Sequence, residues 1–396
     1  MTVAHVPDRA RRAVRLALFA GLTLAATLRT LPTTGAAAPT PTPFSDGTSG
    51  NSSLRHQENV PVLVLEGTPA EMGRAAGVLI GKPAQELLDR YLLRWMARFG
   101  TLDSFRKGAK NYESRMTPDE RDELAAFSKA SGIAQRDLLL AQCFLDMIQP
   151  FLCSAVVVSA ERAADGKPLL ARNLDFLSLG VAHRYSLVIA RRPRKGKASV
   201  SVGWPGLIGT LSAVNEDGLT MATLVGYGFR SARGPGPPYT LLYRRLLESC
   251  TKTAEVVDGI SRAERTCANS VALLDADGAG RVCEFAPSGV ASYGYKNGFA
   301  VATNDFQALA PPAGIRRSDD RIDELERWAK GAPARVTPAD AIRPLCLVEM
   351  GELTLQSMVF RPSDRRLWLS IGRAQAAHGR FVELDAAALM KRAPAP

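Results

Sequence analysis

Histidine is scarce in this sequence. Four occur in 396 residues, and His5 and His56 fall in an N-terminal region that does not read as folded. His183 and His378 are left, neither inside a local motif that would pair it with a thiol, so a Cys/His cysteine protease stands only as an alternative. The six cysteines, at 143, 153, 250, 267, 283 and 346, show no CxxC or zinc spacing, which argues against a metal held by thiolates. Cys267 and Cys283 could bridge two strands of one hairpin, with buried free thiols as the other possibility. No stretch beyond the N-terminus approaches eighteen apolar residues, so no membrane span is expected in the mature chain. No basic stripe interleaved with aromatics is present either, and nucleic acid is not an expected partner. The net charge of +11 does not change this, because Arg9, Arg11, Arg12, Arg15 and Arg29 against Asp8 place +4 of it in the first 43 residues.

What is present is ordinary globular composition, 46% apolar and 22% charged. RARRAVR followed by LALFAGLTLAATL and GAAAP reads as an export signal over 1–38, which implies a periplasmic or extracellular protein. The Pro/Thr/Ser/Gly-rich stretch over 39–59 reads as a disordered linker. From 60 to 152 the apolar spacing is mainly helical, after a short strand VPVLVLEG. Pro83 is expected to break or kink the first helix. Thr117 should cap another over TPDERDELAAFSKAS. From Cys153 the period changes to strands joined by tight turns, such as Asp165-Gly166 and Asp217-Gly218, with interspersed helices. The fold class is therefore α+β with mostly antiparallel strands, and 60–396 forms one structural unit.

One feature asks for a chemical explanation. FLCSAVVV places Cys153 at the start of a buried strand, just after a helical stretch ending in Gln149-Pro150. A thiol nucleophile needs a base or a cation to lower its pKa from about 8.5. With no suitable histidine, a free α-amino group on the cysteine itself is an alternative base, available if the chain is cut before Cys153. Nineteen residues on, in the second strand of the same hairpin, ARNLDF brings Arg172 and Asp175 back toward the thiol.

These residues resemble the signature of cysteine-type N-terminal nucleophile (Ntn) hydrolases: a cysteine opening a strand, a DGKP-type turn, then RNxDF. The family includes acyl-CoA:6-aminopenicillanate acyltransferase, acid ceramidase, N-acylethanolamine acid amidase, and bile-salt and penicillin V acylases. VNEDGLTMATL, VATNDF, SDDRIDEL, TLQSMVFRPSDRRLWLSIG and EMGRAAGVLIG resemble further family segments in the family's order, from about Gly67 to Glu383. The resemblance implies a four-layer αββα sandwich of two sheets, with 60–152 released as a helical N-terminal fragment and 153–396 as the hydrolase fragment, the two staying associated. It implies self-cleavage between Leu152 and Cys153, with Cys153 then acting as nucleophile on the linear amide bond of a small-molecule N-acyl substrate. Arg172 would support the thiolate, Asp175 orient the amine, Asn304 and the Val225 backbone N–H stabilise the oxyanion, and Arg321, or Arg316 or Arg317 in its place, complete the site. Asn173 is structural on this comparison. No metal or organic cofactor is implied. A catalytically inactive binding or structural protein of the same fold is the alternative. Two departures stand out: Leu152-Cys153-Ser154-Ala155 replaces the small residues that flank the cysteine in many relatives, and Asp305 replaces the histidine of TNHF.

Overall fold

The computed structural model describes residues 42–148, 152–226, 234–310 and 319–392. The expected export signal lies outside them, as do Gln149, Pro150, Phe151, Arg316 and Arg317.

Two sheets form the frame. The larger runs in the order β1 (Gly47–Ser49), β2 (Ser52–Gln57), β3 (Val60–Gly67), β6 (Leu187–Pro193), β7 (Ser199–Gly203), β8 (Ser212–Asn215), β9 (Thr220–Val225), β10 (Asn269–Leu274), β11 (Gly280–Ala286) and β12 (Gly289–Tyr293). The smaller runs β13 (Phe299–Ala302), β4 (Leu152–Val158), β5 (Leu169–Asp175), β14 (Thr354–Arg361), β15 (Arg366–Ser370) and β16 (Val382–Asp385). Among the described residues every pairing is antiparallel except β3 with β6, which is parallel. Strand period explains the layering: Val156, Val158, Leu169 and Ala171 pack with Leu325, Ala341 and Leu345, whereas Cys153, Ala155, Val157, Leu170 and Leu174 face the core between the sheets. Helices α7 (Arg321–Gly331) and α8 (Pro338–Leu347) cover the small sheet, and α1 (Pro69–Leu87), α5 (Tyr239–Ser249) and α6 (Thr253–Arg262) pack on the large one. The expected helix–sheet–sheet–helix sandwich results.

The N-terminal helices are built on local signals. Thr68 and Thr117 each close a capping box, with Glu71 and Glu120 respectively, and Pro69 and Pro118 stand at the first helical position of α1 and of α3 (Pro118–Ser131). The glycines of EMGRAAGVLIG serve packing: a Cβ on Gly73 would lie 2.1 Å from the Glu123 carbonyl oxygen and one on Gly77 2.7 Å from the Ala130 Cβ, so α3 approaches α1 more closely than a side chain at either glycine would allow.

Several expectations need correction. Part of the presumed linker over 39–59 is the edge hairpin β1–β2, ordered because Leu54 is fully buried and the β2 backbone pairs with β3 in the register Ser53 to Val64. Pro83 neither breaks α1 nor ends it; the helix continues to Leu87, and the irregularity is a π turn over Leu88–Leu92. Polar α2 (Leu102–Glu113) and short α9 (Ala386–Met390) add to the helices expected from spacing, among which α4 (Gln135–Ile148) is present. Cys267 and Cys283 are free, because the β10–β11 register sets Cys283 against Val271 and Asn269 against Phe285, leaving Cys267 before the strand.

A buried charge cluster ties the N-terminal helices to the rest. Glu123 of α3 receives Arg191 of β6 and Arg244 of α5, each at 2.6 Å, and Arg244 also meets Glu248 at 2.7 Å. Glu123→Ala would leave Arg191 buried without its carboxylate and Arg244 with Glu248 alone, so the expected loss is about 3–5 kcal/mol, read from urea unfolding. A loss below about 1 kcal/mol would show the cluster to be energetically neutral.

Candidate active site

The site lies where β4, β5 and β14 of the small sheet meet β9 of the large one. Antiparallel register sets Cys153 opposite Leu174 and Ala155 opposite Arg172, so the Arg172 side chain lies diagonally beside the thiol on the inter-sheet face. Its Nη2 is 3.0 Å from Cys153 Sγ and 3.0 Å from the Thr223 carbonyl oxygen, and its Nη1 donates to the Ser212 hydroxyl. Both Arg172 and Cys153 are buried. Burial pushes the Cys153 thiol up, the Arg172 cation pulls it down, and Asp175 pushes it up again, leaving it above its ordinary value in the uncut chain.

Asn304 follows β13, the strand that pairs with β4 on the side away from β5. Its Oδ1 accepts from the Cys153 backbone N–H at 2.8 Å and from Arg321 Nη2 at 2.8 Å, while its Nδ2 donates to the Val225 carbonyl at 2.8 Å. Two donors on one end and an acceptor on the other fix which way this amide points. Val225 thus contributes a carbonyl to the observed network, where a backbone N–H was expected to serve.

Arg321 reaches the site; the other two candidate arginines, Arg316 and Arg317, lie outside the described residues. Arg321 opens α7 and spans Asp175 Oδ2 at 3.0 Å and both oxygens of Asp319, at 2.8 and 2.7 Å. The other Asp175 oxygen accepts from Thr354 Oγ1 at 2.6 Å. Burial raises the Asp175 carboxyl to about 6, opposed by Arg321 and the Thr354 hydroxyl. Asp319 is pushed up by burial but held below the usual carboxylate range by Arg321. Asn173 is structural as expected: it donates to the Leu345 carbonyl at 2.8 Å and accepts from Ser357 at 2.7 Å. Asp305 accepts from the Asp319 backbone N–H at 2.9 Å, so it clasps the turn that carries Asn304.

Cys153, Arg172, Asp175, Asn304 and Arg321 are therefore brought together. Thr354, Asp319 and Ser212 join them without having been expected from the sequence. Thr354 and Asp319 lie inside TLQS and SDDR, two of the family-like segments, but spacing alone could not show which oxygen each holds. The three histidines among the described residues are bonded elsewhere: His56 pairs with Asp46, His183 with Ser178 and His378 with Glu349. Among the described residues no cluster of three or more His, Cys, Asp or Glu is arranged to hold a metal ion. Beside Asp175, Phe176 joins Leu88, Tyr91, Phe144, Trp204 and Pro205 in lining a small apolar pocket.

A family model for acyl-coenzyme A:6-aminopenicillanic acid acyl-transferase matches residues 162–376, more than half of the chain. The chain belongs to this family. The matched range contains Arg172, Asp175, Val225, Asn304 and Arg321 and begins just after Cys153. An uncharacterized protein of Archaeoglobus fulgidus is 24% identical over 190 residues, 40% of this chain and 32% of its own length. Protein dcd1B of Dictyostelium discoideum is 24% identical over 236 residues, 53% of this chain and 47% of its own length. The chain thus spans about a third to a half of the length of these relatives. Among solved structures, a Caenorhabditis elegans N-acylethanolamine-hydrolyzing acid amidase ortholog superposes with TM-score 0.43 at 17% identity, over 53% of this chain and 93% of that one. Penicillin V acylase from Agrobacterium tumefaciens gives 0.41 at 16%, over 59% and 86%.

Arg172→Gln should move the Cys153 thiol further up, because the cation that lowers it is removed while burial remains. The pH dependence of Cys153 alkylation, site-mapped by mass spectrometry, checks this; an unchanged profile would mean that the 3.0 Å contact has no electrostatic consequence.

Proposed function

We propose that this family member is an exported, self-processing amidase or acyltransferase whose nucleophile is the thiol of Cys153. The observation that carries the reading is a single residue held at both ends: its Sγ lies 3.0 Å from the Arg172 guanidinium and its backbone nitrogen 2.8 Å from the Asn304 side chain. Cleavage then begins with attack of Sγ on the Leu152 carbonyl carbon. The C–N bond breaks, the thiol proton passes to the Cys153 nitrogen, and a thioester joins Leu152 to Sγ. The C–N cleavage has already left a free α-amino group on Cys153; water then adds to the thioester, releasing the thiol and a Leu152 carboxylate.

In the second phase the amine serves as base. It takes the thiol proton as Sγ attacks the carbonyl of an N-acyl substrate, then gives it to the departing amine, leaving an acyl-thioester for water or another amine to take. Arg172 and Arg321 disfavour a protonated amine beside them, which keeps this base available. Arg172 supports the thiolate, and Asn304 supplies its amide to the developing oxyanion. Asp175, gripped on both oxygens, acts by charge and orientation. The apolar pocket beside Phe176 favours an apolar acyl group, and a series of N-acyl amides of graded chain length tests that.

The Cys/His protease reading finds no support in histidines that are bonded elsewhere. A catalytically inactive protein of this fold predicts an uncut chain with no thiol-dependent turnover. Export rests on the N-terminal signal, and recovery of the chain from the medium or periplasm tests it; among the described residues no helix is long and apolar enough to cross a membrane.

The expected outcome on a denaturing gel with mass analysis is two fragments, one starting at Cys153, replaced by one intact chain in Cys153→Ala. A wild-type chain that stays intact sinks the self-processing mechanism. In processed enzyme, Asn304→Ala should lower kcat by about a hundredfold to a thousandfold, the usual cost of removing one oxyanion donor.

A further inference from the structure

Strand β14 approaches β5 through an irregularity. The register runs Phe360 to Leu170, Val359 to Ala171, Met358 to Arg172, Ser357 to Asn173 and Gln356 to Leu174, and then Thr354, not Leu355, stands opposite Asp175. In an unbroken ladder Leu355 would take that place. The extra residue is a β-bulge, a device that re-aims side chains next to functional sites. Its effect is specific: Ser357 and Thr354 are three residues apart, yet both reach residues two apart on β5, Ser357 to Asn173 at 2.7 Å and Thr354 to Asp175 at 2.6 Å.

The direction of the Thr354 bond follows from counting protons. Its oxygen accepts the Met350 backbone N–H at 2.9 Å, and the hydroxyl carries one hydrogen, which goes to Asp175 Oδ1. Arg321 donates to Oδ2. Both ends of the carboxylate therefore accept, an arrangement that suits its ionised form. We propose that Thr354 is a positioning residue of this site, aimed by the bulge at Leu355 so that its hydroxyl holds Asp175 as an oriented anion beside Arg321. This role rests on the reading of Asp175 as part of the active site.

The charged and titratable groups facing Asp175 are Arg321 of α7, Asp319 just before it, Arg172 on the same strand, Cys153 of β4 and Glu349 after α8. Asp175 is held at about 6, mainly by burial, with Arg321 and Thr354 pulling it down. Loss of the hydroxyl removes a group that stabilises the anion, so the carboxyl rises further. Below about pH 5 the carboxyl is protonated in wild type and variant alike; above about pH 7 the variant must either bury a less well held anion or keep a proton.

The test uses the full chain as Thr354→Val, matched in shape, and Thr354→Ser, which keeps the hydroxyl. Thermal unfolding is measured at about pH 5 and about pH 8, on either side of the carboxyl's titration. The expected result is a drop in Tm for Thr354→Val that is clearly larger at the higher pH, with Thr354→Ser close to wild type at both. In active enzyme the acid limb of the kcat profile moves to higher pH in Thr354→Val while KM stays unchanged. Equal Tm losses at the two pH values, or a serine variant as impaired as the valine one, would reduce Thr354 to a packing residue and overturn the proposal. The stability arm needs no turnover, so an uncut or inactive wild-type chain would count against the amidase reading, while the Tm comparison alone decides the role of Thr354.

Discussion

Everything in the site depends on a guanidinium placed between two sheets. Arg172 has no exposed surface, and among the described residues its hydrogen-bond partners are a hydroxyl, a backbone carbonyl and a thiol, with no carboxylate in direct contact. A buried cation left without an anion costs several kcal/mol, so the fold leaves a charge to be answered close to Cys153. Cys153 is the ionisable group in direct contact with it, 3.0 Å from the guanidinium. The cation does not create the anion by itself, because burial still holds the thiol above its ordinary value; it stands ready to stabilise the thiolate once a base has taken the proton.

The second shared element is Arg321, which touches Asp175, Asn304 and Asp319 and so binds the end of β5, the turn after β13 and the start of α7. One side chain therefore aligns the acid and the amide with each other. Such sharing makes the site collective, and the loss of any member unsettles the others, because each of them takes its orientation from a group that another also uses.

Much of this was legible in the sequence. Strand period and turn residues marked the chain from Cys153 onward as mostly antiparallel strands joined by tight turns, and the hairpin geometry of β4–β5 put Arg172 within reach of Cys153. The order of the weak motifs then located Asn304 and Arg321. What escaped has physical reasons. The β1–β2 edge hairpin is poor in apolar residues and is ordered by backbone pairing, which composition does not report. Pro83, expected to break or kink its helix, does not break it: α1 runs on to Leu87, packed closely on α3 through Gly73, Gly77 and Gly81. Thr354 was hidden because a bulge breaks the parity that sequence spacing relies on, and Asp319 because an acidic residue before a helix looks the same whether it caps, floats or grips an arginine.

The single parallel pair among the described strands has a consequence for the life of the molecule. β3 and β6 are hydrogen-bonded neighbours, and the long connection between them holds α1 to α4 and the hairpin that begins at Leu152. A cut at Cys153 falls inside that connection, so the joint across it would pass to non-covalent contacts, the sheet's own backbone bonds and the Glu123 cluster among them. A chain that first folded as one body would then be asked, after any unfolding, to find its other half by diffusion. Persistence of the cut molecule would be governed by the rate at which it opens, with reassembly dependent on concentration.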